Sequence, residues 1–257
     1  MQPQVYGQPK DFYSPRPLIF SSHTSPKELV LSVGYDGGVD MNVSFSLPHS
    51  LFVFAQGGVN TFSHSRNESL EPRYTINKND YSWLAGVGLY AELKYSFFNI
   101  VELQAGAGTT SIDNFRRSST STTEVYNRHT LANYGTVFCQ MNAVKMIKSS
   151  ELGIAGRLSY SQYNHLEHFI GSGAITNRNT NSFGFLSIEP ALSYSLLVRN
   201  FKGNLQFGIS VPLHSDDTYI EESQHNTITL ENYSDFYFFW RISIQYARFT
   251  YTGQGRR

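Results

Sequence analysis

The sequence predicts an all-β protein, an antiparallel up-and-down transmembrane β-barrel of about ten strands. Three observations carry this. Nearly every patterned stretch has period two, with bulky apolar residues on one face and Gly, Ser, Asn, Gln and a few charges on the other. Short and long polar connections alternate along the chain, as they do when strands run up and down between unequal rims. Charged residues make up only 16% of the 257 residues while aromatics reach 15%, too few charges to coat an ordinary soluble surface.

The elements follow in order. Residues 1–27, "MQPQVYGQPKDFYSPRPLIFSSHTSPK", hold five prolines and no sustained period, which reads as an extended leader lying periplasmically or entering the lumen. The barrel itself is assigned to residues 28–251. Strands are expected at 28–35, 39–47, 51–63, 81–93, 99–112, 131–146, 151–163, 182–197, 203–213 and 233–249. The cleanest is "VDMNVSFSL" (39–47), which sets Val39, Met41, Val43, Phe45 and Leu47 against Asp40, Asn42, Ser44 and Ser46. The stretch 51–63 alternates weakly, and 131–146 is ambiguous, its better phase placing Gln140 and Asn142 on the polar face. "DGG" (36–38) is a tight hairpin signal. "PHS" (48–50), "KYSFF" (94–98), "IKSS" (147–150) and "RNFK" (199–202) are short turns, and long loops are expected near 64–80, 113–130, 166–181 and 214–232.

Period two alone does not say which face is inside. Ten strands with about five large apolar residues each give on the order of fifty bulky groups, whereas a small barrel has room only for ordinary side chains. The polar face suits a lumen and the apolar face a membrane. Strands of this length match a tilted crossing, which needs roughly 9–11 residues. Aromatics near strand ends (Tyr81 and Trp83, Tyr95 to Phe98, Tyr160 and Tyr163, Phe236 to Trp240) fit interfacial girdles. Backbone groups in hydrocarbon must pair internally, so the sheet has to close, and an even strand number then brings both termini to one side. A lipocalin-like soluble barrel and a β-sandwich are the rivals. The first lacks an early Gly-x-Trp strand here and has eight strands; the second does not explain the loop alternation.

A net charge of zero gives no basic field, so no nucleic-acid partner is expected. The single cysteine, Cys139, excludes an internal disulfide and a multi-cysteine metal site. No apolar run reaches the length of a transmembrane helix. "MQPQVYGQPK" is not a signal peptide; for an exported protein the expectation is a mature form, its signal peptide removed and Met1 added or substituted.

The leader with "VYGQP", followed by "KELVLSVGYDGGVDMNVSFSLPHSLFVFAQGG" and later by "IEPALSYSL" and "GNLQFGISVPL", resembles a group of small outer-membrane β-barrel proteins of diderm bacteria. The resemblance covers most of residues 5–250 as a pattern of strands and carries no catalytic signature. It implies residence in the outer membrane. Members of that group often carry a lipobox cysteine at the mature N-terminus; Met1 stands there in this sequence, which leaves a lipid anchor open.

The polar face carries Asp40, Glu92, Glu102, Arg157, Glu189 and Arg241. In a narrow lumen these charges must pair, because an unpaired buried charge is very costly. A polar network tying the strands together is the expected role, an ion path the alternative; Glu92 is expected to find Arg157 or Arg241. The most enzyme-like string is "PLHSDDTY" (212–219). Its His214, Asp216 and Asp217 are similar to the histidine and carboxylate with which omptin-type barrel proteases activate water. That chemistry needs a second acidic pair, for which Asp40 and Asp113 are the only weak candidates. His-Ser-Asp-Asp is also ordinary turn chemistry. His165 and His168 lack further ligands for a metal, and "SSTSTTE" (118–124) is a plain hydroxyl-rich loop. No catalytic residue, metal or cofactor is therefore expected. The leading expectation is a non-enzymatic barrel in contact with outer-membrane lipid, a structural or accessory subunit of a larger envelope complex with other envelope proteins as partners. A small passive pore and a surface hydrolase are the alternatives.

Overall fold

The computed structural model describes residues 13, 15–66, 73–94, 96–119, 125–171, 184–215, 218–221, 227–230 and 237–248. Ten strands close into a barrel: β1 (Leu29–Tyr35), β2 (Val39–Ser46), β3 (Leu51–Arg66), β4 (Arg73–Glu92), β5 (Ile100–Ser119), β6 (Val125–Ile147), β7 (Ser150–Gly171), β8 (Gly184–Val198), β9 (Phe201–Ser215) and β12 (Tyr237–Arg248). Each pairs antiparallel with its neighbours, and β12 closes on β1 from Leu29↔Arg248 to Tyr35↔Ile242. A separate hairpin, β10 (Thr218–Glu221) and β11 (Thr227–Leu230), follows β9.

The alternation faces outward as the counting requires. Leu31, Val33, Met41, Trp83, Val87, Leu103, Val137, Leu158, Leu192 and Ile244 are all exposed, while Ser32, Asn42, Gln104, Gln140, Ser159, Gln206 and Ser243 are buried. On β4 the outward run from Tyr81 to Ala91 spans ten steps. At about 3.4 Å per residue and a tilt near 40° it covers roughly 26 Å of height, the thickness of an outer-membrane apolar band (about 25 Å). Inward-facing Gly86 and Gly88 let the rings of Phe54 and Phe52 lie flat against β4; a Cβ at either glycine would collide with them.

Several expectations are corrected. The walls are taller than the apolar pattern indicates: β4 begins at Arg73, β5 runs to Ser119, β6 starts at Val125 and β7 reaches Gly171. Much of the expected loops at 64–80 and 113–130 is strand. There the outer face meets water and not lipid, so Asn77, Lys78 and Asn79 keep the backbone ladder with β3 and β5, and Asn114 of β5 that with β4 and β6, without a hydrophobic alternation to advertise it. The 214–232 loop carries the β10–β11 hairpin, whose β-branched "TYIE" and "TITL" form a ladder from Thr218↔Leu230 to Glu221↔Thr227. Tyr163, taken for a girdle residue, points inward and is buried.

The lumen is not purely polar. Phe52, Phe54, Tyr90 and Phe138 pack against Ile19 from the leader, and Tyr13 joins Ile112, Tyr134, Tyr163, Leu166, Phe185 and Tyr237 nearer the long-loop rim. Pro190 sits mid-β8 with its side chain outward. Lacking an N–H, it interrupts the β8–β9 ladder, which passes from Ile188↔Val211 to Ala191↔Gly208. At the short-turn rim His49 and Ser50 both take left-handed φ, 63° and 60°, the geometry that matches hairpin twist.

Candidate functional site

The site is the barrel lumen, built by inward residues of the strands around the leader. Residues 17–23 are buried, and their backbone is bonded to opposite walls. The carbonyl of Ile19 accepts from Gln104 Nε2 (3.1 Å) on β5 and from Gln140 Nε2 (2.7 Å) and Asn142 Nδ2 (2.8 Å) on β6. Gln245 Nε2 of β12 donates to the Phe20 carbonyl at 3.1 Å. The Gln206 amide of β9, oriented to satisfy both groups, brackets Leu18, accepting from its N–H (2.8 Å) and donating to its carbonyl (3.2 Å). An extended segment cannot satisfy its own backbone, so where it is buried the wall must supply donors and acceptors. Five amide side chains at the level of residues 18–20 do so.

Three charged groups organise the rest. Arg241 Nε donates to both Asp40 oxygens (2.9 and 2.8 Å), and its Nη atoms reach Ser32 Oγ (2.9 Å) and Ser243 Oγ (3.0 Å). This pair spans β12, β1 and β2, the seam where the barrel closes. Arg157 of β7 pairs with Glu189 of β8 and donates to the Arg16 carbonyl of the leader. Glu189 also accepts from Tyr13 Oη (2.6 Å) and Ser210 Oγ (3.1 Å). Glu102 accepts from Asn142 Nδ2 (2.8 Å), Gln104 Nε2 (3.3 Å) and the His23 backbone N–H (3.1 Å).

Five of the six expected network residues thus lie together in the lumen. Glu92 does not: it is exposed at the short-turn end of β4, and the two arginines expected for it are taken by Glu189 and Asp40. The last inward place on β4 is held by Tyr90 instead. His214 lies on β9 opposite Leu186, and Asp216 and Asp217 fall outside the described residues. Of the candidate second acidic pair, Asp40 is held by Arg241, and Asp113 pairs with His129 at 2.7 Å near the long-loop rim. His165 pairs with Glu167 (3.2 Å), and no group of three or more metal-ligating side chains occurs among the described residues.

Sequence reasoning left the leader between periplasm and lumen, without naming the wall residues that hold it, and missed two rim contacts. Glu28 accepts from the Thr24 N–H (2.9 Å), with His23 Nδ1 3.5 Å away, and His23 Nε2 meets Ser44 Oγ at 2.9 Å. Glu151 takes Lys202 at 2.9 Å. Glu28 and Glu151 open the strands expected at 28–35 and 151–163, where the alternation names no partner for either carboxylate.

No family model matches the chain, and no curated protein matches it. Among solved structures, it is similar to the translocator domain of the autotransporter NalP from Neisseria meningitidis. The TM-score is 0.51 at 13% identity, over 89% of this chain and 90% of that one. CarO2 of Acinetobacter baumannii aligns over 88% of this chain and 100% of its own at 8% identity, and CarO over 86% and 97% at 7%, both with a TM-score of 0.33. The similarity is one of fold, and the class the fold defines is the closed antiparallel β-barrel of ten strands.

Proposed function

We propose that the protein is a non-enzymatic outer-membrane β-barrel that acts as a structural or accessory subunit of a larger cell-envelope assembly, with other envelope proteins as partners. One observation carries the reading: the lumen is filled by the protein's own leader, hydrogen-bonded to opposite walls at the level of Leu18 to Phe20. A barrel so filled supplies a membrane anchor and a raised rim. It offers neither a water path nor a cleft for substrate at that level. The apolar belt around the outside favours lipid, and the usual orientation of such barrels puts short turns in the periplasm and the taller rim outside.

The tall strands β4 to β7 project beyond the belt, where their outer faces turn polar: Asn133 and Asn164 are exposed there, and Asp113 and His129 partly so. That raised, water-facing wall is the natural contact surface for a partner. Purification from native membranes in mild detergent, followed by native-mass analysis, tests the reading. Co-purification of a fixed set of envelope proteins is expected. Recovery solely as a free monomer at native expression level would contradict it.

A further inference from the structure

We propose that the cavity beside Arg16 binds an amino-zwitterion: a phosphate or carboxylate with a primary ammonium a few bonds away, drawn from a lipid head group or a free small molecule. The site goes beyond the accessory role and needs only the closed barrel around it.

The barrel wall is lowest at the hairpin of β1 and β2. β1 ends at Tyr35 and β2 begins at Val39, joined by the "DGG" turn. Beyond that turn β12 continues from Ile242 up to Tyr237 along β9, and β3 continues from Val59 to Arg66 along β4. The step makes a notch beside the Asn60↔Asp80 pair, one residue above Val59↔Tyr81 at the end of the apolar belt. A cavity of about 150 Å³ lies there, several times what one water needs. Its polar groups are Arg16, Asp36 and Asn60, and its apolar wall is Phe238, Phe239 and Trp240. Phe239 is buried, whereas Phe238 and Trp240 are exposed and Trp240 lies against Tyr35 (6.0 Å between ring centres). The lining thus takes in both faces of β12, at the level where an apolar belt gives way to water.

The polar groups ask for both signs of charge. Arg16 Nε and Nη2 are buried and have no hydrogen-bond partner among the described residues. These two nitrogens form the side-on fork that matches two oxygens of one carboxylate or phosphate. Arg241 gives the same two nitrogens to Asp40, and Arg157 gives its Nε to Glu189. Gly58 makes room for the guanidinium, since a Cβ there would lie 3.4 Å from Arg16 Nη1. The acceptors are Asn60 Oδ1, which is buried without a partner, and Asp36, which takes the Gly38 N–H at 3.2 Å. Across the ladder from Asn60, Asp80 adds a second carboxylate whose Oδ1 is buried and unpartnered. A bare anion at Arg16 meets two carboxylates, and a bare cation at Asp36 meets the guanidinium. A zwitterion answers both: its oxyanion takes the Arg16 fork, its ammonium donates to Asp36 and Asn60, and its apolar part rests on Phe238 and Trp240.

Trp240 lines the cavity and reports on it. Trp83→Phe leaves it as the sole tryptophan. The folded protein in a neutral maltoside detergent is titrated with O-phosphoethanolamine near neutral pH. In a second arm it is reconstituted into phosphatidylcholine vesicles holding increasing phosphatidylethanolamine. A saturable change in Trp240 emission is expected; a response in the first arm supports a free ligand, and one in the second arm alone a lipid head group. Inorganic phosphate, lacking the ammonium, and phosphocholine, whose quaternary nitrogen donates no hydrogen bond, are expected to bind about tenfold weaker or less. Arg16→Gln and Asp36→Asn are each expected to weaken the response about tenfold while keeping heat-modifiable gel migration. Should one variant lose the folded band, the other variant and the ligand series still decide. No saturable response in either arm, inorganic phosphate binding as well as phosphoethanolamine, or a response that folded variants leave unchanged overturns the proposal.

Discussion

The barrel's closing seam yields the most quantitative prediction. Asp40 and Arg241 are buried, and the guanidinium reaches across β1 to the carboxylate and to two serine hydroxyls. Gly34 makes this possible: a Cβ there would lie 2.5 Å from Arg241 Nε and 2.6 Å from Asp40 Oδ2. Arg241→Ala leaves Asp40 as an uncompensated buried charge, which costs about 3–5 kcal/mol. At 1.4 kcal/mol per decade, that is roughly a hundred- to several-thousand-fold in the folding equilibrium. Urea titration of the folded protein in lipid vesicles, read by tryptophan fluorescence and heat-modifiable gel migration, measures the loss. The double variant Asp40→Ala with Arg241→Ala removes both charges and is expected to recover well over half of it, because contacting residues are not additive. An Arg241→Ala cost below about 1 kcal/mol, or a double variant equal to the sum of the singles, would refute the claim that this buried pair closes the seam.

Other predictions follow from the same geometry. Leu192→Arg, 63% exposed in the middle of the β8 belt, is expected to destabilise the bilayer-inserted protein by about 2–4 kcal/mol in urea titration. Gly88→Leu sets a side chain into the Phe52 ring and should abolish the heat-resistant folded band on gels, whereas Gly156→Ala, whose Cβ meets nothing within 4 Å, should stay within about 0.5 kcal/mol of the parent. The combined Gln104→Ala, Gln140→Ala, Asn142→Ala variant removes all three donors to the Ile19 carbonyl, a loss of roughly 1.5–4.5 kcal/mol of leader binding at about 0.5–1.5 each. Conductance steps are expected from this variant in planar bilayers, and none from the parent.

Legibility in the sequence followed the contrast between lipid and lumen. Where one face meets lipid, as in 39–47 or 81–93, alternation is strong, and the strands and their inward charges Asp40, Arg157 and Arg241 could be read directly. Above the belt the outer face turns polar and apolar residues such as Ile112 and Leu166 are sparse and inside, so the upper halves of β4 to β7 looked like loops. The choice between periplasm and lumen for the leader was not legible, for a different reason. Its Leu18, Ile19 and Phe20 are buried by tertiary contacts with Gln104, Gln140, Gln206 and Gln245, each more than eighty residues away in sequence, and an extended segment has no periodicity of its own. Glu92 failed because the inward phase of a strand does not say where its buried part ends. The inward glutamines and Asn142 were a usable signal, since a lumen lined with amide side chains asks what backbone they serve.

The most direct measurement is single-channel recording of the folded parent protein in planar bilayers under a voltage ramp. A barrel sealed by its own leader at Leu18 to Phe20 predicts a silent membrane despite verified insertion; stable, ohmic steps from the intact protein would contradict it.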